Sequence, residues 1–329
     1  MSSTGSAKAD EHQRSALIAG LAAFLAWGLV PVYWKMMRAV PASEILAHRF
    51  VWTTAFLVLL LSWQRRWPEV VATMRSRRAT LYCVATGLAI SVNWLLFIWA
   101  VNANRILETS LGYFINPLVN VLLGAIFLHE RLTRLQFASV MLATIGVLNL
   151  SFGYGEFPWV ALVLATSFAI YGLLRKLSGT AAIPGMFLET TMLLPVAIVY
   201  LLFLERGGNL FFGADHAWIS VLLISTGVIT GLPLVWFGHA ARHLQLTTVG
   251  FMQYIAPSCT FFLGVFLYNE PFTRAHLITF TLIWVALAIF TADALMRWRS
   301  SRQVVAPTGA TGPVPESTIP RAARERIEL

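Results

Sequence analysis

Charge is what this chain has least of. Asp, Glu, Lys and Arg make up 12% of its 329 residues, where a soluble domain carries about a quarter. That is too little polar surface to wrap a chain that is 57% hydrophobic, and a water-soluble fold is excluded. Disordered, collagen-like and secreted disulfide-rich classes fall with it. Cysteine occurs only at Cys83 and Cys259, each inside an apolar run, so both read as small hydrophobes rather than a redox or metal pair. No G-x-S-x-G, H-E-x-x-H, Walker A or Gly-rich dinucleotide motif is present, which excludes ATP-driven transport by this chain alone. His239 and His243 have a metal-like spacing, but Arg242 between them repels a cation and no third ligand follows. No metal and no cofactor are expected.

What is abundant is long apolar sequence. A helix uses roughly 20 residues to cross a bilayer, and runs of that order lie at 16–37, 42–63, 79–101, 107–128, 135–152, 157–174, 184–204, 217–237, 247–268 and 276–296. The expectation is an all-α polytopic membrane protein of ten transmembrane helices. The net charge of +9 does not indicate nucleic acid, because all but six of the 24 Lys and Arg residues fall in segments that share one side of such a topology. That asymmetry is the positive-inside rule, and it places both termini in the cytoplasm of an inner-membrane protein. Residues 1–15 read as a polar cytoplasmic tail, and the first apolar run is too long for a signal-peptide core. Residues 299–329, mixing Pro, Thr, Gly and Arg, read as a disordered cytoplasmic tail. The segment 65–78, with aliphatic and basic residues at near-helical spacing, suits either a helix on the inner leaflet or a solvated loop.

Shifting the chain by 140 positions aligns Pro117, Leu123, Gly124, Glu130, Thr133 and Arg134 with Pro257, Leu263, Gly264, Glu270, Thr273 and Arg274. The polar E-x-x-T-R signature recurs at the same helix end. Two repeats follow, 16–152 and 153–298, each of five helices. Five is odd, so the second copy enters the membrane from the opposite side and the halves are inverted, a signature of alternating-access transporters. Glu130, Arg134, Glu270 and Arg274 are then structural residues at helix ends.

Ionisable groups in a bilayer cost about 2.5–3.5 kcal/mol each on insertion scales, so they should face the bundle interior. Lys35, Glu44, His48, Arg49, Glu108 and Glu189 are the candidates for a switchable charge. Glu44 and His48 share a helix face, and His48 could accept a transported proton or form a structural pair. Lys35 could equally snorkel to the interface. Trp27 and Tyr33 on the first helix, Asn93, Trp94 and Phe97 on the third, Tyr113, Asn116 and Asn120 on the fourth, and Gln253 and Tyr254 in the second half are expected to line a semi-polar cavity for a small organic solute. Interhelical hydrogen bonding explains the amides almost as well. Gly227 and Gly231 suit close helix packing.

The stretches WGLVPVYWK (27–35), VPASEILAHRFVW (40–52), NWLLFIWAVN (93–102) and LETSLGYFINPLVNVLLG (107–124) closely resemble the RarD subfamily of EamA-type permeases, within the drug/metabolite transporter superfamily. YGLLRK (171–176) and GFMQYIAPS (250–258) extend the likeness, which spans nearly the whole chain outside its two tails. The resemblance implies a five-plus-five inverted fold. The resulting expectation is a secondary transporter, not an enzyme, that exports a small organic metabolite or drug-like solute by alternating access. Its partners would be that solute, membrane lipids and, as coupling ion, protons; a facilitator would need none. A membrane-embedded lipid-modifying enzyme and a non-transporting receptor or assembly subunit are the rival classes.

Overall fold

The structure, a computed structural model, describes residues 3–127, 129, 131–154, 157–244, 248–249 and 252–305. Every regular element among them is helical: α1 (Ser3–Met36), α2 (Ala42–Gln64), α3 (Trp67–Arg75), α4 (Arg77–Asn102), α5 (Ile106–Phe127), α6 (Arg134–Tyr154), α7 (Trp159–Ser178), α8 (Ala182–Arg206), α9 (Ala217–His243), α10 (Ile255–Phe262) with a π-helical extension (Leu263–Leu267), and α11 (Arg274–Val305). Residues 1–290 form one compact unit and 291–329 a second, of which the described part is helical to Val305.

Nine described helices are long and apolar enough to span a membrane, so the chain is a polytopic, all-helical membrane protein. Within the expected run 247–268, Ile255–Leu267 is an apolar helix preceded by a turn at Gln253 and Tyr254, and the described residues Thr248, Val249 and Met252 before the turn are helical. Pro257 has no N–H to return to the carbonyl of Gln253, which accounts for a break at that point. The amphipathic segment after α2 forms the helix α3, and Trp67 sets its ring edge-on to Phe187 of α8 at 5.3 Å.

Between helices in lipid, packing and hydrogen bonds replace the hydrophobic drive that assembles soluble cores, and small residues set the helix pairings here. On α5, a Cβ added to Gly112 would lie 2.7 Å from the Ala161 carbonyl of α7. Gly28 of α1 meets α10 in the same way, its hypothetical Cβ 3.0 Å from the Ala256 carbonyl. Gly227 of α9 lies against the backbone of Trp52 on α2, and Gly87 of α4 against the backbone of Glu189 on α8. The pairings fall into matched sets: α1 with α9 and α10, α7 with α4 and α5, α2 with α9, α4 with α8, and α2 with α8.

Four connections gather at one end of this bundle: α1–α2, α4–α5, α8–α9 and α10–α11. Lys35 Nζ donates to Asn104 Oδ1 and sits 5.2 Å from the centre of the Tyr268 ring. Glu44 of α2 accepts the Phe211 N–H at 2.8 Å. The Glu270 carboxylate takes the N–H groups of Ile106 and Leu107 at 2.7 and 2.8 Å, satisfying the otherwise orphaned first turn of α5.

Candidate functional site

Arg49 is the residue around which several helices converge. It lies seven residues into α2, about 10 Å along the helix axis from its start. Its guanidinium carbon stands 3.6 Å from the centre of the Trp94 ring on α4 and 5.4 Å from that of Trp34 on α1. Its Nε donates to Thr230 Oγ1 on α9 at 2.9 Å. No carboxylate of the described residues pairs with it. Stacking on two tryptophans holds a cation in place without neutralising it. Taken as a whole the residue is half-buried, and its charged end lies among the packed side chains of these helices. Beside it Trp34 is buried with its indole N–H unpartnered, and one turn along α2 Thr53 is buried with its hydroxyl unpartnered.

The expected cavity residues divide into separate groups. Asn93, Phe97 and Tyr113 meet: Tyr113 donates to Asn93 Oδ1 at 3.1 Å, and Phe97 sets its ring edge-on to Tyr113 at 5.7 Å. Asn93 is fully buried and donates to the Leu164 carbonyl and Ser167 Oγ, both at 3.0 Å, which ties α4 to α7. Asn116 donates to the Ala165 carbonyl at 3.0 Å and accepts from Asn120 at 3.0 Å, tying α5 to α7. Helix-to-helix bonding therefore occupies the amides of Asn93 and Asn116. Trp94 belongs with Arg49. Trp27 packs with Phe24 and Phe237 instead, and Tyr33 donates to the Leu222 carbonyl of α9. Gln253 is exposed, while Tyr254 packs against the apolar cluster that contains Phe114 and Phe280.

The candidate switch residues are likewise distributed. Glu44 and His48 share the face of α2 but make no hydrogen bond to each other. Glu44 Oε1 holds the Phe211 N–H, whereas Oε2 and both nitrogens of the buried His48 have no partner among the described residues. Phe212 covers His48, ring centres 4.9 Å apart. Glu108, in the first turn of α5, pairs at 2.5 Å with Arg105, the residue just before the helix. Glu189 is buried beneath Arg175, 3.2 Å away, with the Tyr171 hydroxyl at 3.4 Å. Of the helix-end residues, Glu270 caps α5 as described. Burial pushes its carboxyl above the usual range, against the downward pull of the Leu107 and Ile106 N–H groups and of Lys35. Arg134 and Arg274 are exposed at the starts of α6 and α11. Glu130 lies outside the described residues.

Sequence reasoning missed four contributors: Trp34, Thr230, Arg175 and the Phe211–Phe212 pair. Only Arg175 carried a signal, as a basic residue 140 positions from Lys35. It also explains Gly185, where any Cβ would occupy the space of the Arg175 guanidinium.

Comparison with known proteins places this arrangement in a family. The EamA-like transporter family model matches residues 14–152. An uncharacterized transporter of Vibrio cholerae is 44% identical over 294 residues, covering 89% of this chain and 97% of the relative. The RarD protein of Escherichia coli is 44% identical over 289 residues, covering 88% and 98%. A solved protein structure aligns with a TM-score of 0.55 at 19% identity, over 86% of this chain and 98% of its own, which supports the fold alone. The chain belongs to the RarD-type EamA permeases, a family of membrane transporters.

Proposed function

We propose that this protein is a secondary transporter of the inner membrane, with both termini cytoplasmic, that moves a small organic solute outward by alternating access between two inverted five-helix halves, 16–152 and 153–298. The observation that carries the reading is the correspondence of helix pairings under the 140-residue shift. That shift exchanges α1 with α7, α2 with α8, α4 with α9 and α5 with α10. Applied to α1–α9, α1–α10 and α2–α9, it returns α7–α4, α7–α5 and α8–α4, each of which is a packed pair. Local chemistry repeats as well. Thr133 and Gln136 form a reciprocal capping box at the start of α6, with bonds of 3.1 Å in both directions. Thr273 and His276 form the same box at the start of α11, with bonds of 3.3 and 3.4 Å. Two near-equivalent halves can exchange which side their shared interface opens toward.

Protons are the proposed coupling ion, and His48 the residue that carries one, since its two nitrogens have no partner among the described residues. Reconstituted vesicles test both layers. Solute-resolved flux that depends on the protein is the expected result, and its absence across a broad solute panel would remove the transporter reading. A pH jump should accelerate flux through the wild-type protein and leave His48→Gln unresponsive; equal flux with and without the jump would remove the proton.

A further inference from the structure

Arg49 has no counter-ion among the described residues, whereas its sequence counterpart does. Under the 140-residue shift, position 49 corresponds to position 189, and Glu189 is matched by Arg175 at 3.2 Å. Arg49 makes one hydrogen bond, through Nε to Thr230, and its two terminal nitrogens make none to any described residue. Those nitrogens carry four of the guanidinium's five N–H donors, arranged in a planar fork that matches a carboxylate bidentately. The Trp94 and Trp34 rings lie 3.6 and 5.4 Å from the guanidinium carbon, and the bond to Thr230 holds its Nε. The group is thus held from α1, α4 and α9. The unpartnered Trp34 N–H and Thr53 hydroxyl beside it are a further donor and a further donor–acceptor with no partner among the described residues. Unpaired polar groups are costly in a packed helix interface, and here a cation and two such groups are neighbours.

We infer that Arg49 is the anion-binding residue of the transport site and that the solute is an organic carboxylate with a flat unsaturated body. The carboxylate takes two parallel N–H bonds from the Arg49 fork, and the body lies among the surrounding aromatic side chains, where planar surface is favoured. Thr230 is a positioning residue, acting through the arginine. This inference rests on the transporter reading only for the word transport; the binding site stands or falls by itself.

The test uses the purified full chain in detergent, with ligand-induced shift of the thermal midpoint as readout. The probes are benzoate, 4-hydroxybenzoate and indole-3-acetate, their neutral amides, tryptamine, and inorganic phosphate. At least one carboxylate should raise the midpoint while its amide and tryptamine do not. Arg49→Gln should fold, with a ligand-free midpoint no lower than wild type, because it removes an uncompensated charge. It should weaken carboxylate binding tenfold or more. Arg49→Lys, a point charge without the fork, should fall between the two, and Thr230→Val should weaken binding while preserving the preference for carboxylate over amide. Should Arg49→Gln fail to fold, the Lys and Val variants carry the same comparison. The inference is overturned if no carboxylate binds, if amides bind as well as acids, or if phosphate alone stabilises the protein. Carboxylate binding without flux in vesicles would preserve the anion site and remove the transporter. Flux of a neutral or cationic solute unchanged in Arg49→Gln would do the reverse.

Discussion

Two residues of opposite sign show how differently a charge can be accommodated in this protein. Glu270 is answered by backbone: both oxygens accept N–H groups at the start of α5. Replacing it with Ala would strand two buried donors, and a stranded buried donor costs about 1–3 kcal/mol. Glu270→Ala should therefore lower the melting midpoint clearly. Glu270→Gln, which keeps one acceptor and has no charge to desolvate, should lower it much less. The pH dependence follows from the raised value of this carboxyl. The folded state holds the proton to higher pH than the unfolded state, so the contribution is complete below the unfolded value and declines as pH rises through the folded one. A midpoint series across the range just above the ordinary carboxylate value should show that decline in the wild type and lose it in Glu270→Gln. Arg49, by contrast, is answered by aromatic faces and a hydroxyl. The sequence marked both residues as notable, yet nothing in their neighbourhoods distinguished a satisfied cap from an unmatched cation. The partners lie 164 and 181 positions away, beyond the reach of any local pattern.

At the scale of helices, contact depends on where a side chain is missing. Gly112 lets α5 and α7 touch backbone to backbone, and a methyl group there would press on the Ala161 carbonyl at 2.7 Å. Gly112→Ala should cost about 1–3 kcal/mol through forced separation of the pair. Gly238, inside α9, has nothing within 4 Å of a hypothetical Cβ. Gly238→Ala should be neutral or stabilising by up to about 1 kcal/mol, the helix-propensity difference. Detergent melting of the two variants side by side checks both, and equal losses would refute the packing argument. Long apolar runs announced most helices without ambiguity, since twenty residues of hydrocarbon leave a chain little alternative to hydrogen-bonding itself. The run at 247–268 was harder to read because hydropathy does not register the turn at 253–254, although Pro257 in the sequence marks a candidate break there. Asn93 and Asn116 show a related blindness: an amide that bonds a neighbouring helix and one that faces a cavity look the same in sequence.

For the whole molecule, the decisive question is whether the two E-x-x-T-R segments face opposite sides of the membrane. In a background with Cys83 and Cys259 replaced by Ala, Pro271→Cys should react with a membrane-impermeant maleimide in intact cells. Arg131→Cys should react only after permeabilisation. Both positions are exposed and each directly follows its glutamate, so labelling of both from one side would refute inverted halves. Sequence alone determined that this is a helical membrane protein and a relative of known permeases, because hydropathy, charge asymmetry and family motifs are properties of a chain read in order. Tertiary structure decided which polar residues are spent on holding helices together and which remain available. That distinction depends on distances between helices far apart in the chain, set by glycine contacts and by caps such as Glu270 on α5, and Arg49 emerges from it as a cation inside a membrane helix that no carboxylate of the described residues pairs with.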